Sequence, residues 1–222
     1  MGDALVLGLD AAGKRGWVGI ALRGGQFAGA YVFARLTEAA GRAEFACIGV
    51  DIPILHGDPE RRLVDRAAKA LIGPRRSSVF MAAPLDVFEK ARTRAEADAM
   101  TRAAGFGGLA SQTFALQAKV LQALEVRHDR RVYEVHPEVS FWAMTGAHLQ
   151  HPKRSWAGQV ERQRRLARHG VVIADEIGAA NVVPADDVLD AAAAAWTADR
   201  IARGVAGRLP EDRPDSLDAI WY

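Results

Sequence analysis

"LVLGLDAAGKRGWVGIAL", residues 5–22, holds two apolar runs separated by a loop of small and basic residues, and the first run ends in a carboxylate, Asp10. A short Val/Leu-rich run that stops at a polar residue reads as a buried strand. "GWVGIALR" and "QFAGAYVFA" read as two more strands, with a tight hairpin signal at Gly24-Gly25 between them. "RLTEAAGRAE" is a short helix candidate. "FACIGVDIPI" is a fourth strand and ends, like the first, in an acid, Asp51. "RRVYEVHPE" is a fifth, with Glu134, His136 and Glu138 clustered at its end.

Residues 55–131, Leu55 to Arg131, separate strands four and five and carry helical rather than alternating patterns. Pro59 after Asp58 suits a helix start. One helix is expected from Pro84 to near Gly105, and another from Ser111, its expected N-cap. Pro137 opens a short helix, Ser155 and Gly170 bound another, and the last runs from Asp186 to Gly204, a C′ glycine. The expected order is three strands, helix, strand, helical segment, strand, helices. Hairpin-linked strands form an antiparallel meander, whereas a strand reached by a helical crossover lies parallel to the first. The result is an α/β fold with a mixed sheet and helices on its faces.

The bulk composition supports a single globular unit over 1–222. Apolar residues make up 50% and charged residues 25%, which suits a globular chain. No apolar run reaches the ~20 residues of a membrane span, so no membrane partner is expected. The N-terminus does not read as a signal peptide, and the cytoplasm is the expected location. The lone Cys47 excludes an internal disulfide framework and a cysteine-based zinc site. With 29 Lys+Arg against 27 Asp+Glu, bulk charge says little about nucleic acid. Two local clusters, "GPRRSS" and "VERQRRLARHG", could meet phosphates, although the second also reads as an ordinary solvated helix face.

If strands one and four are parallel neighbours, Asp10 and Asp51 emerge at one sheet edge, where ligands of open α/β sheets bind. "ADDVLD" opens the last helix, and Asp187 and Asp190, three apart, share a helix face. Converging carboxylates repel one another unless a cation sits between them, and hard oxygen ligands suit Mg²⁺ or Mn²⁺. Two such ions ~3.5–4 Å apart can cleave a phosphodiester. The competing readings are a turn-forming Asp10 and an N-capping Asp186, with Asp187 favoured by the helix dipole.

"GLDAAGKRGWVGIAL" resembles the first hairpin of the ribonuclease-H-like superfamily, in which an Asp on the first strand binds metal. "ADDVLDAAAAAWTA" is similar to the closing helix of its Holliday-junction resolvase branch, where a D-x-x-D pair supplies ligands, here Asp187 and Asp190. Together with "VDIPI", "GPRRSSVF", "YEVHPEVSF" and the terminal "IWY", nearly the whole chain resembles a family of predicted nucleases of that fold, domain of unknown function family 429. The resemblance implies a ribonuclease-H-like five-stranded sheet with residues 55–131 as a helical insertion. It implies a Mg²⁺- or Mn²⁺-dependent nuclease that binds nucleic acid or a nucleotide.

Around that centre the sequence offers further candidates. Lys14 and Arg15 lie in the first loop, where phosphate would approach, or in a solvated turn. Arg75, Arg76, Ser77 and Ser78 carry donors for phosphate oxygens, or pack a helix-terminating loop. The arginines are expected to point at the carboxylates. Period-two alternation puts Glu134 and His136 on one side of their strand. Glu134 could be a ligand or orient an arginine, and His136 could be a general acid or base or cap the helix at Pro137. Lys153 and Arg154 could add positive charge at the rim, with a plain surface role the more natural reading. Two other classes compete: a phosphate-handling enzyme of the actin-like and sugar-kinase group, and a non-catalytic binding module that keeps the fold. A single hairpin of this kind argues against the former, whose chains carry duplicated domains.

Overall fold

β1 (Leu5–Ala11) runs antiparallel to β2 (Trp17–Arg23), which turns into β3 (Gln26–Phe33). The turn needs both its glycines, because Gly24 has φ +57° and Gly25 φ +76°. After α1 (Leu36–Ala40), β4 (Cys47–Val50) returns parallel to β1, and β5 (Val132–Glu134) lies parallel to β4. The sheet is five-stranded and mixed, in the order β3-β2-β1-β4-β5. This is the expected α/β arrangement. The computed structural model describes residues 3–56 and 63–222, so the expected helix start at Asp58-Pro59 lies outside the described residues.

Residues between β4 and β5 form α2 (Leu63–Ile72), a 3₁₀ turn (Gly73–Ser78), α3 (Leu85–Lys90), α4 (Arg94–Ala103), α5 (Ser111–Ala115) and α6 (Gln117–Val126). No strand occurs among the described residues of this segment. Beyond β5 come α7 (Pro137–Thr145), α8 (Trp156–Arg168) and α9 (Ala185–Ala202). A small second sheet pairs β6 (Arg208–Leu209) with β7 (Ile220–Trp221), and Trp221 bridges in parallel to Val135 beyond β5. None of the described helices is long and apolar enough to cross a membrane.

Alternation along the strands divides the core. Leu7, Leu9, Ile48 and Val50 face a layer that includes Val87, Phe88, Ala97, Val120 and Ala123 of α3, α4 and α6. Val6, Val18, Ile20, Leu22 and Cys47 face the other way, onto Phe141, Leu166 and the alanines of α9. The helical segment therefore does not lie wholly over the carboxyl ends of the strands. α3–α6 cover one sheet face, while α2 joins α7 and the C-terminal strands in a separate cluster through Val64, Ala68, Ile72, Val139, Leu209 and Ile220.

Three helix boundaries differ from the expectation. The single helix from Pro84 to Gly105 is two, because Thr93 starts a new one: its hydroxyl accepts from the Glu96 amide while the Glu96 carboxylate accepts from the Thr93 amide, a complete capping box. Ser111 is the first helical residue rather than the N-cap, which is Ala110, and the helix breaks at Leu116. There the Gln117 side chain donates to the carbonyls of Phe88 and Ala91 at the end of α3. Asp186 is not an N-cap either. Pro184 holds that position, and Asp186 is buried with its carboxylate on Arg154. Ser155, by contrast, caps α8 by accepting from the Gly158 amide.

Candidate metal centre

Strand parity brings the acids together. On β1, Val6, Gly8 and Asp10 face α9; on β4, Cys47 and Gly49 do, and Asp51 follows in phase. The Asp51 amide donates to the Leu9 carbonyl at 2.9 Å, which continues the ladder and sets Asp51 beside Asp10. α9 then has to come close. A Cβ on Gly8 would lie 2.0 Å from the Ala195 amide nitrogen, and one on Gly49 2.7 Å from the Ala194 carbonyl oxygen. Two glycines facing the run Ala191–Ala195 let helix backbone rest almost on sheet backbone. Asp190, immediately before that run, is thereby delivered to the strand ends. One carboxylate oxygen each of Asp10, Asp51 and Asp190 lies within 4.8 Å of the others.

Burial pushes the Asp10 carboxyl well above the usual carboxylate range, and the charges of Asp51 and Asp190 push it further. Burial and Asp190 raise Asp51 to about 6 against the opposing pull of His136. Burial also raises Asp190, against Lys153. Asp187 reaches about 6 through partial burial and the neighbouring Asp186. The Lys153 ammonium, which burial alone would depress, is held above its ordinary value by Asp190, whose Oδ2 it meets at 2.7 Å. One ammonium against several carboxylates leaves an excess of negative charge. Three hard oxygen donors at the mouth of an open cleft fit a divalent cation, and the buried cluster could hold a metal ion.

The cleft measures about 470 Å³, and its walls include Asp10, Asp51, Asp187, Asp190, Arg75, Ser77, Ser78, Glu134, His136 and Lys153. Several expectations change in detail. Asp187 lines the cleft but stands outside the three-carboxylate cluster. Glu134 pairs in register with Val50, so it points to the opposite sheet face from Asp51. Its Oε2 accepts from the Ile54 amide at 2.7 Å and anchors the chain after β4. His136 does not cap α7 with its side chain. Its Nε2 lies 3.4 Å from the Ser78 carbonyl, and its buried Nδ1 has no hydrogen-bond partner.

Arg75 lines the cleft, but its guanidinium donates to the carbonyls of Leu149 and His151, not to Glu134 or Glu138. Arg76 is exposed and takes no part in the cleft wall, contrary to the expectation for both arginines. Ser77 is exposed on the wall, while the Ser78 hydroxyl donates to the Arg75 carbonyl. Lys14 is exposed on the 3₁₀ turn Gly13–Arg15, also away from the wall. Lys153 is part of the site rather than plain surface, because Asp190 and Asp186 face it. Two residues escaped the sequence reading. Asp65 is buried in the wall and accepts from the Ala82 amide, and Lys119 donates to the Gly16 carbonyl above the Trp17 ring while its charge reaches Asp10. Asp65 shares α2 with Arg66 and Lys69, and Lys119 shares α6 with Glu125, so no spacing signal sets either apart from ordinary helix-surface charge.

The fold and site define an α/β protein with a carboxylate cluster at the carboxyl ends of two parallel strands. The chain belongs to the family described as "Protein of unknown function (DUF429)", which matches residues 8–215. No curated protein and no solved structure matches it.

Proposed function

We propose that the protein is a metal-dependent nuclease of ribonuclease-H-like fold that hydrolyses phosphodiester bonds with Mg²⁺ or Mn²⁺. The observation that carries this reading is the convergence of Asp10, Asp51 and Asp190, from two adjacent parallel strands and the helix packed on them, within 4.8 Å. The strand order, with an antiparallel β1–β3 meander followed by parallel β4 and β5, supports the fold assignment.

Asp10, Asp51 and Asp190 would hold the cation, with Asp187 as an outer carboxylate on the same helix. When bound, divalent cations supply Lewis-acid activation of water and charge neutralisation at the phosphoryl group. The chain's own residues do the rest. Lys153 offsets the carboxylate charge that would repel a polyanion. Arg75, fixed by two carbonyls, and the Ser77 hydroxyl place donors along one wall for phosphate oxygens. His136, which lines the cleft with a buried Nδ1 that has no hydrogen-bond partner, is the candidate for proton transfer near the reacting centre.

The test is cleavage of single-stranded, duplex and junction forms of DNA and RNA with Mg²⁺, Mn²⁺ or EDTA. Cleavage of at least one substrate with either metal is expected, with none in EDTA and a loss of ~100-fold or more in Asp10→Asn. A purified, folded protein that cleaves none of them sinks the proposal.

A further inference from the structure

The basic cluster "VERQRRLARHG" is not one uniform face. Arg162 is fully buried and pairs with Glu138, and Arg165 is buried and donates to the carbonyls of Phe141, Ala147 and His148. These two are structural. Arg164 and Arg168 point the other way: both are exposed, and neither makes a hydrogen bond or ion pair among the described residues. On the same side, at the first position of α8, the Trp156 side chain is 80% exposed. Trp156, Val160, Arg164 and Arg168 recur every four residues and line one shallow groove with Gln150 and His151. A single exposed apolar side chain needs no partner by itself. What sets Trp156 apart is that it shares one groove with two exposed arginines that make no ion pair among the described residues, so an aromatic face and two free positive charges lie together.

The groove and the cleft share a wall. His151 lines the groove, and the next two residues, Pro152 and Lys153, line the carboxylate cleft. This bridge is held firmly. Arg75 donates to the carbonyls of Leu149 and His151, and the Glu161 carboxylate accepts from the amides of Gln150 and His151. Glu161, the acid in the groove, is thus already occupied, also by Arg165. Arg154, its side chain 85% exposed while its Nε sits 3.3 Å from Asp186, continues the positive edge between the two.

We propose that the exposed face of α8 is a docking track for an unpaired stretch of the nucleic-acid substrate, with a base stacked on Trp156 and phosphates held by Arg164 and Arg168. The direction of the track, away from the cleft, rests on the nuclease reading; the surface itself does not. Unpaired strand is favoured over duplex because an indole can stack only on a base whose face is uncovered. Arg164 and Arg168 lie one helical turn apart, about 6 Å along the axis, which suits neighbouring phosphates of an extended strand. A protein partner would have to offer an aromatic-binding pocket beside two acids, and a lipid surface would want more than one apolar anchor.

The experiment measures fluorescence anisotropy of a labelled oligothymidylate and of a duplex of equal length, in EDTA, on the cleavage-deficient Asp10→Asn protein. Adding Trp156→Ala is expected to weaken single-strand binding about tenfold, as loss of one stacked base does, with Trp156→Phe retaining most of it. Adding Arg164→Ala with Arg168→Ala should reduce the slope of log affinity against log salt by about 1.4. Adding Arg94→Ala, an exposed arginine of α4, should change neither. The track is overturned if the Asp10→Asn protein does not bind the single strand, or if Trp156→Ala or the double substitution leaves binding unchanged. It is also overturned if duplex binds as tightly as single strand and responds equally to Trp156→Ala. The two readings fail separately. Absent cleavage with a Trp156-dependent single-strand affinity removes the nuclease and keeps the surface, whereas cleavage with Trp156-independent binding does the reverse.

Discussion

Asp10, Asp51 and Asp190 sit where a carboxylate is costly, buried and facing two others, so removing a charge there should help the metal-free fold while harming metal binding. In chelator at pH 8, Asp10→Asn is expected to raise the melting temperature, since it removes a buried charge that burial and the neighbouring carboxylates both disfavour. Thermal denaturation reads this directly, and a less stable variant would show that the carboxylate is held by bonds rather than tolerated. The opposite case is Glu138, the ion-pair partner of the fully buried Arg162. Glu138→Ala leaves that guanidinium uncompensated and should cost about 3–5 kcal/mol, while a double change to Arg162→Met and Glu138→Leu should recover much of the loss. Denaturant titrations of the single and double variants would decide, and an unaffected single variant would mean Arg162 is satisfied by the backbone alone. The three cluster acids were legible because strand-end position and D-x-x-D spacing are local properties of the chain. Glu134 was misplaced because parity within its own strand was clear but the register to β4 was not. Lys153 was undervalued because a lysine in a turn carries no sign of which carboxylates the fold will bring to it.

Elements transmit this geometry through contact distance. The approach of α9 to β1 depends on Gly8, where an added Cβ would fall 2.0 Å from the Ala195 amide nitrogen. Gly8→Ala must therefore push the 18-residue helix outward or prevent folding. A cost above ~3 kcal/mol is expected, with metal affinity lost in whatever folded fraction remains, because Asp190 rides on that helix. Gly146→Ala is the contrast: φ is +66° but nothing lies within 4 Å of an added Cβ, so only backbone strain of about 1 kcal/mol should appear. Equal losses at the two sites, measured by urea denaturation, would refute close packing as the cause. The alanine run was readable as a helix, but its purpose was not, since nothing local links Ala191–Ala195 to glycines on two distant strands. Strands and their order were read well because each is a short apolar run bounded by glycine, charge or proline. The helices between β4 and β5 were read less well than the long α8 and α9. The Thr93-Glu96 box was written in the sequence but lay inside an apolar periodicity that continued through it, and the break at Leu116 coincides with a tertiary tether from Gln117.

At the scale of the whole molecule the cluster makes stability depend on pH in a direction opposite to the ordinary surface acids. Glu44, Asp98, Asp129 and Glu161 have lowered carboxyl pKa values because each accepts hydrogen bonds from an arginine and from backbone amide, so they stabilise the fold above the unfolded-state pKa and lose that contribution as acid protonates them. Asp51 and Asp187, raised to about 6, do the reverse. The folded state keeps their protons longer than the unfolded chain does, so their contribution is full below the unfolded value near 4 and is lost as pH rises through about 6. For buried Asp51 the rise of about two units corresponds to at most ~3 kcal/mol. The metal-free protein should thus be most stable near pH 5 and decline toward pH 7. A divalent cation competes with those protons, so its stabilising effect must grow over the same interval, reaching about 2.7 kcal/mol when free metal is 100 times its dissociation constant. The measurement is a series of melting temperatures from pH 4.5 to 7.5 in EDTA and in excess Mn²⁺. The two curves should coincide at the acid end and separate progressively above pH 5.5, and the separation should vanish in Asp10→Asn. Parallel curves, or a metal effect that survives that substitution, would place the cation elsewhere on the protein and leave the carboxylate cluster without its proposed occupant.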